Sequence, residues 1–206
     1  MRIVCLSDTH SRHGDVVVPD GDVLVHAGDF TKRGSEREVA SFDAWLGTLP
    51  HRHKLVVAGN HDFLFESAPQ VARTLLAHAA YLEDSGCEID GLRFWGSPWQ
   101  PRFFDWAFNL ERGEPLRRKW ERISDLVDVL ITHTPPHGIL DRVWSGQEVG
   151  CEELTAAVAR LRPRLHVFGH IHEAHGVRET PATRYVNACI CDLAYEPAQP
   201  PIVIDL

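Results

Sequence analysis

The sequence predicts an α/β fold: a sandwich of two β-sheets flanked by helices, with a metal site at the carboxyl ends of its strands. Three observations lead there. Short apolar runs alternate with helical stretches, the pattern of layered α/β proteins. Five of the runs, Ile3–Leu6, Val23–Val25, Leu55–Ala58, Val129–Ile131 and Leu165–Phe168, are each followed by residues of metal-ligand type. Further strand-like segments at Leu92–Trp95, Arg184–Ala188 and Ile202–Asp205 call for a second sheet.

In chain order, the first run leads into Asp8-Thr9-His10 and the second into His26-Ala27-Gly28-Asp29. A helix follows over Ser35–Thr48. Ser35 and Glu38 form a capping box, and Val39, Phe42, Leu46 and Leu49 keep helical spacing. The third run ends in Gly59-Asn60-His61-Asp62, and a second helix is predicted over Pro69–Ala79. The stretch from Pro98 to Gly113 is irregular and rich in aromatics, among them Trp99, Phe103, Phe104, Trp106 and Phe108, and reads as an insertion loop near the site. A third helix is predicted over Glu114–Ile123, its Arg117-Arg118-Lys119 run a solvated face. The fourth run ends in Thr132-His133-Thr134, a fourth helix covers Glu152–Leu161 before Pro163, and the fifth run ends in Gly169-His170-Ile171-His172.

In open α/β sheets, ligands bind outside the carboxyl ends of the strands. Five such ends carrying Asp, His and Asn therefore point into one crevice. Two carboxylates, several imidazoles and an amide compose a metal site. Mixed nitrogen and oxygen donors without thiolate favour Mn, Fe or Zn over Ca. Any one Asp or Asn after a strand is more simply a turn residue; the ordered set is what argues for a metal. His26, mid-strand, reads as a packed core histidine. His13, His51, His53, His78, His166 and His175 read as structural or surface residues. His137, behind Pro135-Pro136, is a candidate substrate contact, and Trp99 and Trp106 are candidates to stack on a base or aryl group.

The 206 residues suit one domain, 1–206, and the 44% hydrophobic and 24% charged composition is ordinary for a globular chain. There is no apolar run long enough for a membrane span, and the N-terminus enters a strand at once, so neither a membrane association nor a leader is expected. Five cysteines, odd in number and without C-x-x-C spacing, suit a reduced, cytoplasmic protein. Cys189 and Cys191 are expected to share one face of a strand and to pack there. A net charge of −8 argues against binding extended nucleic acid and leaves room for a small anionic substrate, because bound cations dominate their local field.

The five motifs in this order, D-x-H, G-D, G-N-H-D, a lone His and G-H-x-H, resemble the calcineurin-like metallophosphoesterase superfamily, whose fold is the two-sheet sandwich expected above. The wider sequence resembles its metallophosphoesterase-domain-containing (fetal-brain-type) branch through Asp29-Phe30-Thr31, Trp45-Leu46-Gly47, Pro98-Trp99, Phe108-Asn109-Leu110 and Pro200-Pro201. The resemblance implies two divalent metal ions. Asp8, His10, Asp29 and His172 would hold the first and Asp29, Asn60, His133 and His170 the second, with Asp29 bridging. It also implies in-line attack by a metal-bridging hydroxide, with His61 protonating the leaving oxygen. The closer branch points to small phosphodiesters, cyclic nucleotides included, as substrates. A phosphomonoesterase of the same fold is the nearest alternative. A non-catalytic scaffold fits less well, because such proteins usually lose ligands and here the set is intact. A metallo-β-lactamase would need H-x-H-x-D-H, which is missing. The protein Ser/Thr phosphatase branch carries G-D-x-x-D-R-G; here Lys32 replaces its second Asp, so the motif provides no partner for His61, while Arg33 matches the Arg that contacts phosphate in that branch.

Overall fold

The computed structural model describes residues 1–206. Its elements in order are β1 (Arg2–Leu6), β2 (Val23–Ala27), α1 (Glu36–Thr48), β3 (His53–Val57), α2 (Phe63–Ser67), α3 (Pro69–Leu75), β4 (Ala80–Tyr81), β5 (Ser85–Ile89) and β6 (Leu92–Ser97). Then come β7 (Gln100–Pro101), β8 (Asn109–Leu110), α4 (Glu114–Trp120), β9 (Val129–Thr132), α5 (Glu152–Leu161), β10 (Leu165–Phe168), β11 (Gly176–Glu179), β12 (Arg184–Asn187) and β13 (Ile202–Asp205).

Two sheets form the predicted sandwich. One has the order β13-β1-β2-β3-β4, the other β11-β12-β10-β9-β6-β5. In the first, β1, β2, β3 and β4 run parallel and β13 closes antiparallel. In the second, β6, β9, β10 and β12 run parallel, with β5 and β11 antiparallel at the edges. Side chains alternate across each strand. Ile3, Cys5, Val23, Val25, Leu55 and Val57 therefore face Phe94, Val129, Ile131, Leu165 and Val167 in one buried layer between the sheets. The opposite faces of the same strands pack on helices. Val4, Leu24 and Val56 lie against Val39, Phe42 and Leu46 of α1, while Leu130 lies against Leu154 and Val158 of α5 and Trp120 of α4. No helix is long and apolar enough to cross a membrane.

The Ser35–Glu38 capping box forms as predicted. The helix predicted over Pro69–Ala79 stops at Leu75. Asp43 of α1 accepts hydrogen bonds from the backbone N–H and Nδ1 of His78, each at 2.8 Å, and pulls the chain out of helical geometry toward β4. The helix predicted over Glu114–Ile123 ends at Trp120 and continues in turns. The strand predicted over Arg184–Ala188 ends at Asn187, so Cys189 and Cys191 lie outside it, although both are packed and fully buried as expected. The chain leaves the second sheet there and crosses to the end of β1, where Cys189 pairs in isolation with Ser7, and Cys191 then pairs within its own loop with Pro197. The Pro98–Gly113 insertion is pinned by the short β7–β8 pair.

Candidate metal centre and substrate cleft

The carboxyl ends of β1, β2 and β3 in one sheet and of β9 and β10 in the other meet at a single edge of the sandwich. The chain turns there in unusual geometry: Asp8, His10, Asp29 and His170 have φ of 54°, 42°, 57° and 68°. Non-glycine residues in this left-handed region cost on the order of 1–3 kcal/mol each and persist where the surroundings over-determine them. Asp62 supplies part of that restraint. Its buried carboxylate accepts from the backbone N–H of Asp29, Thr31 and Gly59 and from Thr31 Oγ1, tying the loop after β2 to the loop after β3. Burial, reinforced by Asp29, pushes the Asp62 carboxyl up to about 7. The glycines of the motifs are required by close approach. A Cβ on Gly59 would lie 2.3 Å from Asp29 Oδ1, and one on Gly169 would lie 2.0 Å from Asp8 Oδ2.

The structure brings together all seven residues named as ligands. Ligand atoms of Asp8, His10 and His172 lie within 4.8 Å of one another, and so do those of Asp29, His133 and His170. Asp29 stands between the groups, its Oδ2 3.9 Å from His10 Nε2 and 3.5 Å from His133 Nε2. Asn60 Oδ1 lies 2.9 Å from His133 Nε2. His133 Nδ1 donates to the Ala27 carbonyl and His172 Nδ1 to the Asp192 carbonyl, both at 2.9 Å, so each ring presents Nε2 inward. Asp8 Oδ1 is buried with no hydrogen-bond partner. An orphaned carboxylate oxygen among inward imidazole nitrogens fits a divalent cation.

The electrostatics agree. Burial alone would neutralise Asp8, yet His172, His133 and His10 hold it well below the usual carboxylate range. Burial is likewise overcome at Asp29, which His133 above all holds low. Against their own burial, His133 is raised to about 9 by Asp29 and His172 to about 9 by Asp8. Burial lowers His10 to about 4 and His170 to about 3. Two carboxylates are thus balanced by two imidazolium groups, whose protons a cation would replace.

His61 has its partner in an unexpected place. Its Nδ1 donates to the backbone carbonyl of Lys32 at 2.8 Å, so a main-chain oxygen does what the missing carboxylate does elsewhere. Its backbone N–H donates to Asp29 Oδ1 at 2.7 Å, and its Nε2 faces Asp29 Oδ2 at 3.9 Å. His61 forms the floor of a cleft of about 1010 Å³ whose walls include Arg33, Phe63, Phe104, Trp106 and Tyr195. The Trp106 ring lies 4.2 Å from the His61 ring, centroid to centroid.

Two of the proposed substrate contacts lie elsewhere. Trp99 packs between the helices and the second sheet. Its Nε1 donates to Asp84 at 3.1 Å, and Lys119 covers its face at 3.8 Å, so its ring is already engaged. His137 sits beside Asp141 and Glu148 at 3.6 and 3.9 Å, outside the cleft. The run Arg117-Arg118-Lys119 divides: the two arginines pair with Glu114 on the surface, while Lys119 pairs with Asp84. His26 is a core histidine, bonded to Thr9 Oγ1 at 3.0 Å; His166 is equally buried and bonded to Thr132 Oγ1 at 2.9 Å.

Sequence reasoning missed Tyr195. Its ring stands 4.6 Å from that of His10 and 6.0 Å from that of His61, on a loop without a motif to mark it. It also missed the role of Asp62, although that residue stands inside the G-N-H-D motif, and the contact of Cys189 with Asp8, whose thiol burial and Asp8 together hold well above its usual value.

Residues 1–174 match the model of the calcineurin-like phosphoesterase family. The whole chain is 48% identical to Metallophosphoesterase domain-containing protein 1 of Homo sapiens, covering 71% of it. It is 40% identical to a UPF0046 protein of Caenorhabditis elegans, covering 60% of it. In fold it is similar to TT1561 of Thermus thermophilus, with a TM-score of 0.62 at 16% identity over 90% of this chain and 88% of that one.

Proposed function

The chain belongs to the calcineurin-like phosphoesterase family, and from that premise we propose that it is a dinuclear-metal hydrolase of small phosphodiesters. In this reading Asp8, His10, Asp29 and His172 hold one cation and Asp29, Asn60, His133 and His170 the other, with Mn, Fe or Zn suited to the donors. When bound, two divalent cations neutralise the phosphoryl oxygens and make water a nucleophile near neutral pH.

The chain's own groups do the rest. Asp29 is shared by the two donor sets. The Lys32 carbonyl holds the Nδ1 proton of His61 and leaves Nε2, 3.9 Å from Asp29 Oδ2, to protonate the departing alkoxide. Arg33, exposed on the cleft wall, meets the anionic substrate. The observation that favours a diester is the cleft itself. It opens beside His61, and Trp106 and Tyr195 wall it, so an aryl or nucleoside group of the ester has an aromatic surface to occupy. A phosphodiester carries two organic groups, one to depart and one to be held, whereas a phosphomonoester carries only one. The five thiols, all free, fit the cytoplasmic location we propose.

The test compares an aryl or nucleoside phosphodiester with the matching monoester. The diester should show the higher kcat/KM. Trp106→Ala should lower it about 5- to 150-fold for a nucleotide diester, the worth of one stacked base, and should spare a small alkyl diester. Trp99→Ala should not discriminate between them. A preference for monoesters would overturn the diesterase reading while leaving the metal site standing.

A further inference from the structure

We propose that Cys189 is a positioning residue for the metal centre: with the His170 amide, its thiol anchors one oxygen of Asp8 and leaves the other free for a cation. The inference rests on Asp8 being a metal ligand. Cys189 Sγ donates to Asp8 Oδ2 at 3.1 Å, and the His170 backbone N–H donates to the same oxygen at 2.9 Å. Asp8 Oδ1 is the oxygen with no partner; it lies 3.4 Å from His172 Nε2 and 3.9 Å from His10 Nε2. The two oxygens of one carboxylate are therefore divided between tasks.

Exchange of these oxygens by rotation is obstructed. Asp8 and Cys189 are both wholly buried. Gly169 packs so tightly on Oδ2 that a Cβ there would lie only 2.0 Å away. Turning the carboxylate breaks both anchoring bonds at a point shut off from solvent. A thiol suits the task chemically. It is a weak donor, so it fixes the orientation of the carboxylate while drawing little charge from it, and the oxygen that faces the cation stays basic.

The thiol reaches this point because the chain leaves β12 and crosses between the sheets. Ile190 N–H donates to the Ser7 carbonyl at 2.9 Å and Cys191 N–H to the Asp8 carbonyl at 3.3 Å, so residues 189–191 are registered directly on the loop that carries Asp8. The rival account is a small apolar filler, the usual role of a buried free cysteine. The two accounts differ in what serine does. A hydroxyl keeps the hydrogen bond, whereas a filler is replaced at least as well by alanine.

Mn²⁺ or Zn²⁺ titration of the metal-stripped full chain tests this in wild type, Cys189→Ser and Cys189→Ala. Cys189→Ala should weaken one of the two sites by about 10–100-fold, the usual effect of removing a group that orients a ligand, and should spare the other. Cys189→Ser should recover most of the loss. Equal affinities in all three proteins, or serine worse than alanine, overturns the proposal. So does a thiolate-to-cobalt charge-transfer band in Co²⁺-loaded wild type that Cys189→Ser lacks, because the thiol would then be a ligand itself. Should Cys189→Ala not fold, the infrared difference between wild type and Cys189→Ser decides. A low-frequency, hydrogen-bonded S–H stretch is expected, and a free-thiol frequency refutes the anchor. If Asp8→Asn leaves both sites intact, the ligand assignment falls and this proposal with it. If Asp8→Asn weakens one site and Cys189→Ala weakens none, only the thiol's role is lost.

Discussion

At the scale of single residues, the centre works by dividing tasks among chemically similar groups. Four histidines of the cluster separate into two that hold protons, His133 and His172, and two that burial keeps neutral, His10 and His170. That division predicts a proton count. His133 and His172 are raised to about 9, above the ordinary histidine value of about 6.5, so both are protonated at pH 7 in metal-stripped protein. A cation needs the neutral ring. Metal loading at pH 7 should therefore release about two protons, and affinity should climb with pH until about 9 and level off. Calorimetry in buffers of different ionisation enthalpy measures the release; none at pH 7 would contradict the charge balance. His61 stands outside this exchange. His61→Ala should cut turnover by about 10²–10⁴-fold, the worth of a positioned general acid, with metal content kept. The loss should shrink for a nitrophenolate leaving group, which departs without a proton, and an equal loss for all leaving groups would remove His61 from that role.

At the scale of elements, what was legible followed from local rules. The α1 cap could be read because Ser35 and Glu38 are three residues apart and bond each other. The five strand ends could be read because each is an apolar run followed at once by its polar residues. The early end of α3 could not, because it depends on Asp43, thirty-five positions from His78. Nor could the partner of His61: any residue has a carbonyl, so nothing in the side chain of Lys32 marks its oxygen as the anchor. His26 and His166 show a strand-level cost. One sits mid-strand in β2 and the other in β10, each fully buried, and burial lowers each to about 3. Between about pH 6.5 and pH 3 the unfolded chain takes up protons that the folded strands refuse, so stability falls as pH drops through that window. Each histidine contributes about 1.4 kcal/mol per pH unit there. Denaturant unfolding from pH 7 to 4.5 should show a shallower dependence in His166→Asn than in wild type, by about that amount; parallel curves would mean that His166 accepts protons while folded.

At the scale of the whole molecule, the donor sets join the two halves of the sandwich. Asp8, His10, Asp29 and Asn60 ride on loops of the first sheet, and His133, His170 and His172 on loops of the second. Each proposed group of ligands takes members from both sheets, so cations bound at this edge would act as a clamp across the interface that Ile3, Val25, Val129 and Val167 fill further in. Asp29, common to both sets, is where the clamp is most exposed to damage. Metal binding to the folded state alone stabilises by about 2.7 kcal/mol per site at a hundredfold excess over Kd. At about 2–4 °C per kcal/mol for a chain of this size, one site is worth roughly 5–11 °C in Tm. Chelation of wild type should therefore lower Tm by about one to two such steps. His172→Ala, which touches one set, should retain part of the metal-dependent gain, whereas Asp29→Asn should lose nearly all of it, although the Asn side chain is almost the same size. Thermal unfolding with and without Mn²⁺, paired with metal analysis of each protein, reads this directly. If Asp29→Asn still binds two ions and keeps the full rise in Tm, the two sites do not share that carboxylate, and the clamp consists of two independent halves.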